Sequence, residues 1–297
     1  MRIMYKMLVL DMDGTLLNER QEISKENIEA IKEIVDRGIK VVLASGRAYQ
    51  GMSRYLKLLG TNLEGFYSIT CSGSLTVENK TDNILHEVPI EHEDLLALLD
   101  LCETFDLDMS AYTKENILVH QDNLYSHYDA IANDIELKVM NFHEMDKAIE
   151  VFKVSLINEG PVMKDDMIRY FPTIQLDSVE MREKTVYNPE ILMETWRFPK
   201  HILENYTIVQ PMPFTLEILH KSCNKAVGVQ KVAQVYGINR EEIVCVGDSG
   251  NDLHMIEYAG LGVAMGNAID QIKAIADVVT LTNEENGVAE VIKKYFK

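Results

Sequence analysis

Apolar residues follow two rhythms along this chain. Met7–Leu10, Val41–Ala44, Ile243–Val246 and Gly262–Met265 are short continuous apolar runs, the pattern of strands buried on both faces. Helical spacing lies between them. Ser24 stands as an N-cap ahead of Ile28, Ile31 and Val35, with Gly38 as the stop. Met52, Tyr55, Leu56 and Leu59 mark a second helix that Gly60 ends. Asn224 caps a third, carrying Ala226, Val229, Ala233 and Tyr236 and stopped by Gly237. A short helix is expected to end at Gly260, and Val278-Val279 to form the last strand. Apolar strands alternating with amphipathic helices predict a parallel α/β sheet.

The stretch from 85 to 210 has a different texture. Leu95, Leu98, Leu99, Leu101 and Cys102 mark one amphipathic helix. Met109–Tyr112, Ile117–His120 and Phe152–Ile157 read as strands whose alternation suits a sheet with one covered face. The polar segment Gly160–Pro199, with Pro161, Pro172, Pro189 and Pro199, carries no assignable pattern. Trp196 and the nearby Tyr187, Phe198 and Tyr206 are expected to pack this region. The organisation predicted is a Rossmann-like parallel-sheet α/β core, residues 1–84 and 211–297, split by an inserted α+β domain at residues 85–210.

Composition narrows the function. The 297 residues hold 29 basic and 47 acidic side chains, a net charge of −18. Such a chain repels phosphate backbones and anionic membranes at long range, which argues against nucleic-acid or membrane partners. A small anionic substrate stays admissible, because a bound cation reverses the field locally. The four cysteines, Cys71, Cys102, Cys223 and Cys245, form no CxxC pair. Neither a disulfide framework nor a zinc site is expected, and a reduced, cytoplasmic setting is. The first apolar stretch stops at Asp11, so no signal peptide is expected, and no apolar run has the length of a membrane span.

Four polar blocks stand where the pattern puts strand ends or helix starts, the place where open parallel sheets bind ligands. Asp11-Met12-Asp13-Gly14-Thr15 follows the first strand. An ionised Asp11 is a nucleophile at neutral pH, but it must approach a phosphate that is also negative, and a bridging magnesium ion removes that repulsion. Asp13, if protonated, can give a proton to a leaving alkoxide and later take one from water. Gly14 permits the tight backbone and Thr15 can hydrogen-bond the loop. Ser45-Gly46-Arg47 is expected to open a helix and offer hydroxyl and N–H groups to an anion. Lys225 adds a fixed positive charge near a helix start. Gly247-Asp248-Ser249-Gly250-Asn251-Asp252 adds hard oxygen ligands suited to magnesium. Singly, each block suits a turn, a loop or a solvated charge. The first is not a calcium loop, because Leu16 and Leu17 stand where a glycine and an oxygen ligand are needed. The joint order and placement of the four is what points to chemistry.

These residues resemble the four motifs of the haloacid dehalogenase superfamily. Gly262-Val263-Ala264-Met265-Gly266-Asn267-Ala268, Ala276-Asp277-Val278-Val279-Thr280 and Asn286-Gly287-Val288 resemble its Cof-type branch of sugar-phosphate phosphatases. The resemblance implies that the inserted domain is a cap that sets specificity. It implies Asp11 as nucleophile and Asp13 as acid/base. Met12 and Gly46 through their backbones, with Ser45, Lys225 and Asn251, would hold phosphate. Asp11, Asp13 through its backbone, and Asp248 would hold Mg2+, with Thr15, Arg47, Ser249 and Asp252 in support. The implied partner is a small phosphorylated metabolite, with no oligomeric state specified. Two departures bear on loop shape and substrate preference: Ser72-Gly73-Ser74 replaces Asn-Gly-Ala, and Ser222-Cys223-Asn224-Lys225-Ala226 replaces Gly-Val-x-Lys-Gly. A phosphosugar mutase with the same core is the nearest alternative. A phospho-accepting signalling or binding protein is the alternative from another class, but it does not need Asp13.

Overall fold

A computed structural model describes residues 4–160, 167, 174 and 197–297. The chain divides into two units, Met1–Glu87 with Cys223–Lys297, and Val88–Ser222. In chain order, the first segment supplies β1 (Met7–Leu10), β2 (Lys40–Ala44), β3 (Tyr67–Thr70), β4 (Leu75–Glu78) and β5 (Ile84–Glu87). The second unit supplies β6 (Asp108–Tyr112), β7 (Asn116–Val119), β8 (Glu136–Val139), β9 (Lys153–Ile157), β10 (Tyr206–Met212) and β11 (Thr215–His220). The chain then returns with β12 (Ile243–Gly247), β13 (Leu261–Ala264) and β14 (Val278–Val279).

The first unit is built on one sheet of order β14-β13-β12-β1-β2-β3-β4-β5. Pairing is parallel from β14 to β3 and antiparallel at β4 and β5. Every residue of β1 and β12 is buried, as continuous apolar runs require of a sheet covered on both faces. β1 lies between β12 and β2, so the chain leaves it to one side early and fills the other side later. The crevice at the carboxyl ends of these strands is where such a sheet takes ligands.

Helices form where the sequence signals them. Lys25–Asp36 starts at Ser24, whose hydroxyl accepts from Asn27 N at 3.2 Å. Its Ile31 and Ile34 are fully buried, each contributing about 1.5–3 kcal/mol of transfer free energy. Lys225–Tyr236 starts at Asn224, whose side chain accepts from Val227 N at 3.2 Å, and ends at Gly237. One expectation needs correction: Ser45-Gly46-Arg47 does not open a helix. The next turn is the 3-10 stretch Tyr49–Met52, followed by the helix Ser53–Leu59. The Ser45 hydroxyl accepts from the Arg47 N–H and the Cys71 N–H donates to the Arg47 carbonyl, so the segment is bound as a loop.

The second unit carries a sheet of order β10-β11-β9-β6-β7-β8, antiparallel except between β7 and β8. Its strands were expected to alternate, yet β6 and β9 are buried throughout. On one face Met109, Ala111, Val154, Leu156, Leu216 and Ile218 pack with Leu95, Leu98 and Leu99 of the helix His92–Phe105. On the other, the helix Leu124–Asn133 meets polar residues: Ser126 bonds Ser110, and Tyr112 donates to Asp129 Oδ2 at 2.7 Å. Ser110, Tyr112 and Lys153 of these strands are thus buried with polar partners, and the alternation marks two covered faces rather than one. The unit ends at Ser222 rather than near residue 210, because β10 and β11 pair into this sheet through β9. Phe198 and Tyr206 lie in its apolar core, whereas Tyr187, Trp196 and most of Gly160–Pro199 fall outside the described residues. No described helix is long and apolar enough to cross a membrane.

Candidate active site

Asp11 leaves the end of β1, and its N–H donates to the Val246 carbonyl at 3.0 Å, pinning it beside β12. Lys225 begins its helix directly opposite and is fully buried. Its ammonium donates to Asp11 Oδ1 at 2.5 Å, Asp252 Oδ1 at 2.6 Å and Asn251 Oδ1 at 3.4 Å. The other Asp252 oxygen accepts the N–H groups of Asp248 and Ser249, each at 3.0 Å. Thr15 Oγ1 donates to Asp248 Oδ1 at 2.7 Å. Residues from the two ends of the chain are brought together here because β1 and β12 are neighbours.

One ammonium faces three carboxylates in this cluster. Burial, then the neighbouring charges of Asp252 and Asp248, drives Asp11 well above the usual carboxylate range against the pull of Lys225. Burial raises Asp248 as well, to about 6, with Asp252 adding to the rise while Thr15 and Lys225 oppose it. Lys225 is held above its ordinary value: burial lowers it, but Asp11 and Asp252 outweigh burial. The excess negative charge calls for a cation. Asp11, Asp248 and Asp252 each bring a carboxylate oxygen within 4.8 Å of the others. Asp11 Oδ2 is buried without a hydrogen-bond partner. An all-oxygen, anionic donor set with an unpartnered buried oxygen fits a hard dication such as magnesium. The expected ligand set was Asp11, Asp13 and Asp248. Asp13 was expected to contribute through its backbone, and Asp252 to lie nearby in support; the side chain gathered beside Asp11 and Asp248 is that of Asp252, both of whose oxygens already accept hydrogen bonds.

Two consequences can be measured. Gly14 has φ +82°, and a Cβ there would lie 2.5 Å from Asp248 Oδ2. Gly14→Ala is therefore expected to displace the Asp248 carboxylate and to raise the magnesium concentration for half-maximal activity about tenfold or more. A magnesium titration with unchanged midpoint would show that Asp248 is not placed by this glycine. The second consequence concerns pH. With its value raised to about 6, Asp248 favours its protonated form in mildly acidic solution, and a cation bound there would have to displace that proton. Any rise of unfolding temperature on adding magnesium should accordingly grow as pH goes from about 5 to about 7, since only the ionised carboxylate could serve as a ligand. A magnesium shift that is flat or shrinking over that window would contradict this linkage.

Asp13 points elsewhere. Arg47 Nε donates to its Oδ2 at 2.8 Å and Nη2 to its Oδ1 at 2.6 Å, a two-pronged ion pair. Burial pushes the Asp13 carboxyl up, but the charge and hydrogen bonds of Arg47, with Gln21, bring it below its usual value. The side chain is 47% exposed, so solvent screens part of that pull. The acid role was read for a protonated Asp13; Arg47 favours its carboxylate form here.

The remaining predicted residues surround the cluster. A Cβ on Gly46 would lie 3.9 Å from Asn251 Nδ2 and 3.3 Å from Ser72 Oγ, so the Ser45–Arg47 loop faces Asn251. Ser249 Oγ donates to Asn251 Oδ1 at 2.9 Å, leaving the amide nitrogen on the side of Gly46. Met12 anchors its loop through a carbonyl that accepts from Leu16 and Leu17 at 3.0 and 2.9 Å. Cys71, Ser72 and Gly73 are all left-handed, at φ 47°, 55° and 103°. A Cβ on Gly73 would lie 2.2 Å from Asn224 O, which is how closely this loop seats against the start of the Lys225 helix. Sequence reasoning missed the braces of the first loop. Asn267 donates to Gly14 O at 2.7 Å and accepts from Asn283 N, while Asn283 Nδ2 donates to Leu17 O at 2.9 Å. The available signal was Asn267 itself, an amide that can donate and accept at once, in a Gly-Asn-Ala turn. Gln21, beside Arg47, carried no signal at all.

The profile of the family described as haloacid dehalogenase-like hydrolase matches residues 8–292. YxeH of Bacillus subtilis, named as a candidate phosphatase, is 33% identical over 291 residues, covering 97% of each chain. YitU of the same organism, named a 5-amino-6-(5-phospho-D-ribitylamino)uracil phosphatase, is 29% identical over 294 residues, or 98% of this chain and 97% of YitU. The crystal structure of a haloacid dehalogenase-like hydrolase from Bacteroides thetaiotaomicron superposes with a TM-score of 0.78 at 28% identity, covering 98% of this chain and 99% of that one.

Proposed function

The chain belongs to the haloacid dehalogenase-like hydrolase family and is a phosphatase, and from that premise we propose that it hydrolyses small phosphate monoesters with magnesium, through a covalent phosphate on Asp11. The observation that carries this reading is the buried Asp11 carboxylate, with one oxygen held by Lys225 and the other unpartnered.

Magnesium held by Asp11 and Asp248 would neutralise charge on the phosphoryl group and reduce its repulsion of the nucleophile. Asp11 attacks phosphorus, and the bond from phosphorus to the leaving oxygen breaks. Lys225, Asn251 and the Ser45–Gly46 loop hold the phosphate oxygens as charge develops on them. Asp13 delivers a proton to the departing alkoxide. The incoming phosphate adds negative charge beside Asp13 and raises its proton affinity against the pull of Arg47. Asp13, then a carboxylate, takes a proton from the water that attacks the phospho-aspartate, and Asp11 is regenerated.

The substrate class we propose is a phosphate on the primary alcohol of a sugar or polyol. YitU is named for a ribityl phosphate of that kind, and the second unit, as an inserted cap, would choose among such esters. The test is a panel of sugar, polyol and aryl phosphates assayed with magnesium and with EDTA. Free phosphate should appear from sugar and polyol phosphates with magnesium and fall to background with EDTA. Isomerised sugar phosphate in place of free phosphate would favour a mutase, and full activity under chelation would refute the metal's role.

A further inference from the structure

Gln21 lies outside the four polar blocks, yet it is built into their edge. Its backbone is left-handed, at φ +60°, which side-chain-bearing residues adopt rarely. The turn around it is fixed at both ends. Asn18 Oδ1 accepts from Arg20 N at 3.0 Å and Glu22 N at 2.9 Å, and Gln21 N donates to Asn18 O at 2.9 Å. Tyr55, buried on the helix Ser53–Leu59, donates its hydroxyl to the Gln21 carbonyl at 3.0 Å. The ring of Tyr55 also lies against the Arg47 guanidinium, 5.7 Å from centroid to carbon. Gln21 Oε1 accepts from Arg47 Nη2, the same nitrogen that donates to Asp13 Oδ1.

An arginine side chain has several rotatable bonds, and its ion pair alone leaves the guanidinium free to swing with the carboxylate. Here one edge is tied to Gln21 and one face rests on Tyr55, so the guanidinium has a single placement. A neutral amide suits this task, because it accepts from Arg47 without a charge that would compete with Asp13 for it. We infer that Gln21 is a positioning residue: its left-handed turn and Tyr55 hold it in place, and through Arg47 it sets the direction in which the Asp13 carboxylate faces the leaving group. The inference rests on Asp13 being the acid/base proposed above.

Gln21→Met removes the acceptor at similar length. Gln21→Gly removes the side chain but suits the left-handed backbone better than glutamine does, so its unfolding temperature should match or exceed that of the wild type. The readout is single-turnover release of the alcohol from an alkyl phosphate and of nitrophenol from nitrophenyl phosphate. Both variants should slow alkyl release about tenfold or more, as misplacement of a catalytic group does, with little change on nitrophenyl phosphate or in KM. In the Asp13→Asn background, Gln21→Met should change alkyl release less than twofold. Wild-type alkyl release by both Gln21 variants, or equal losses on both substrates, would overturn the inference while leaving Asp13 in its role, provided Asp13→Asn itself slows alkyl release selectively. If Asp13→Asn shows no such selectivity, the acid/base reading fails and the Gln21 inference with it.

Discussion

Asp11→Asn is expected to reduce turnover of every phosphate ester by several powers of ten. The amide has nearly the same shape but is a poor nucleophile, and it offers the site no negative charge for a cation. Folding should survive. Asp11 is buried in a cluster where like charges already push its carboxyl up, so a neutral amide relieves repulsion as it loses the bond to Lys225. An unfolding temperature near that of the wild type, with kcat at background, is the expected pair of results. Retention of a tenth of the wild-type kcat by a verified sample would remove Asp11 from the nucleophile's role.

Lys225→Met should damage both stability and activity. Lys225 is fully buried and bridges Asp11 and Asp252 at 2.5 and 2.6 Å. Removing one partner of a buried ion pair costs about 3–5 kcal/mol, because charge is left uncompensated. For a chain of this size, that corresponds to a fall in unfolding temperature on the order of 10 °C. Activity should drop by about two to three powers of ten, as it does when one preorganised donor to a developing anion is deleted. Thermal unfolding of the variant with and without magnesium separates the two effects: added magnesium should recover part of the stability and little of the rate. A variant that melts with the wild type and keeps most of its kcat would mean that Lys225 neither holds the cluster together nor meets the phosphate.

The core was legible wherever burial is uniform. β1 and β12 lie inside a sheet covered on both faces, so Met7–Leu10 and Ile243–Val246 could only be apolar runs. The polar blocks stood out through their joint order and their shared placement at strand ends and helix starts. The middle was harder to read, since β6 and β9 bury Ser110 and Lys153 among partners supplied by other elements. A burial pattern satisfied by tertiary hydrogen bonds looks like exposure in the sequence. The same limit explains the site. Residue type and order gave Asp11, Asp248, Lys225 and Asn251 as neighbours of one crevice. They did not reveal that Asp13 would pair with Arg47, because that choice follows from side-chain directions set by loops. Gln21 is the extreme case: its role follows from a φ of +60° that its residue type does not announce.

The most direct test is to mix enzyme in excess with a phosphate ester in magnesium, quench in acid within one turnover, and map the phosphorylated peptide by mass spectrometry. An acid-quenched, base-labile phosphate on the peptide that contains Asp11, forming before free phosphate and absent from Asp11→Asn, is the expected result. Free phosphate appearing at the full single-turnover rate with no phosphorylated peptide at any quench time, or with phosphate on a residue other than Asp11, would contradict covalent catalysis at Asp11.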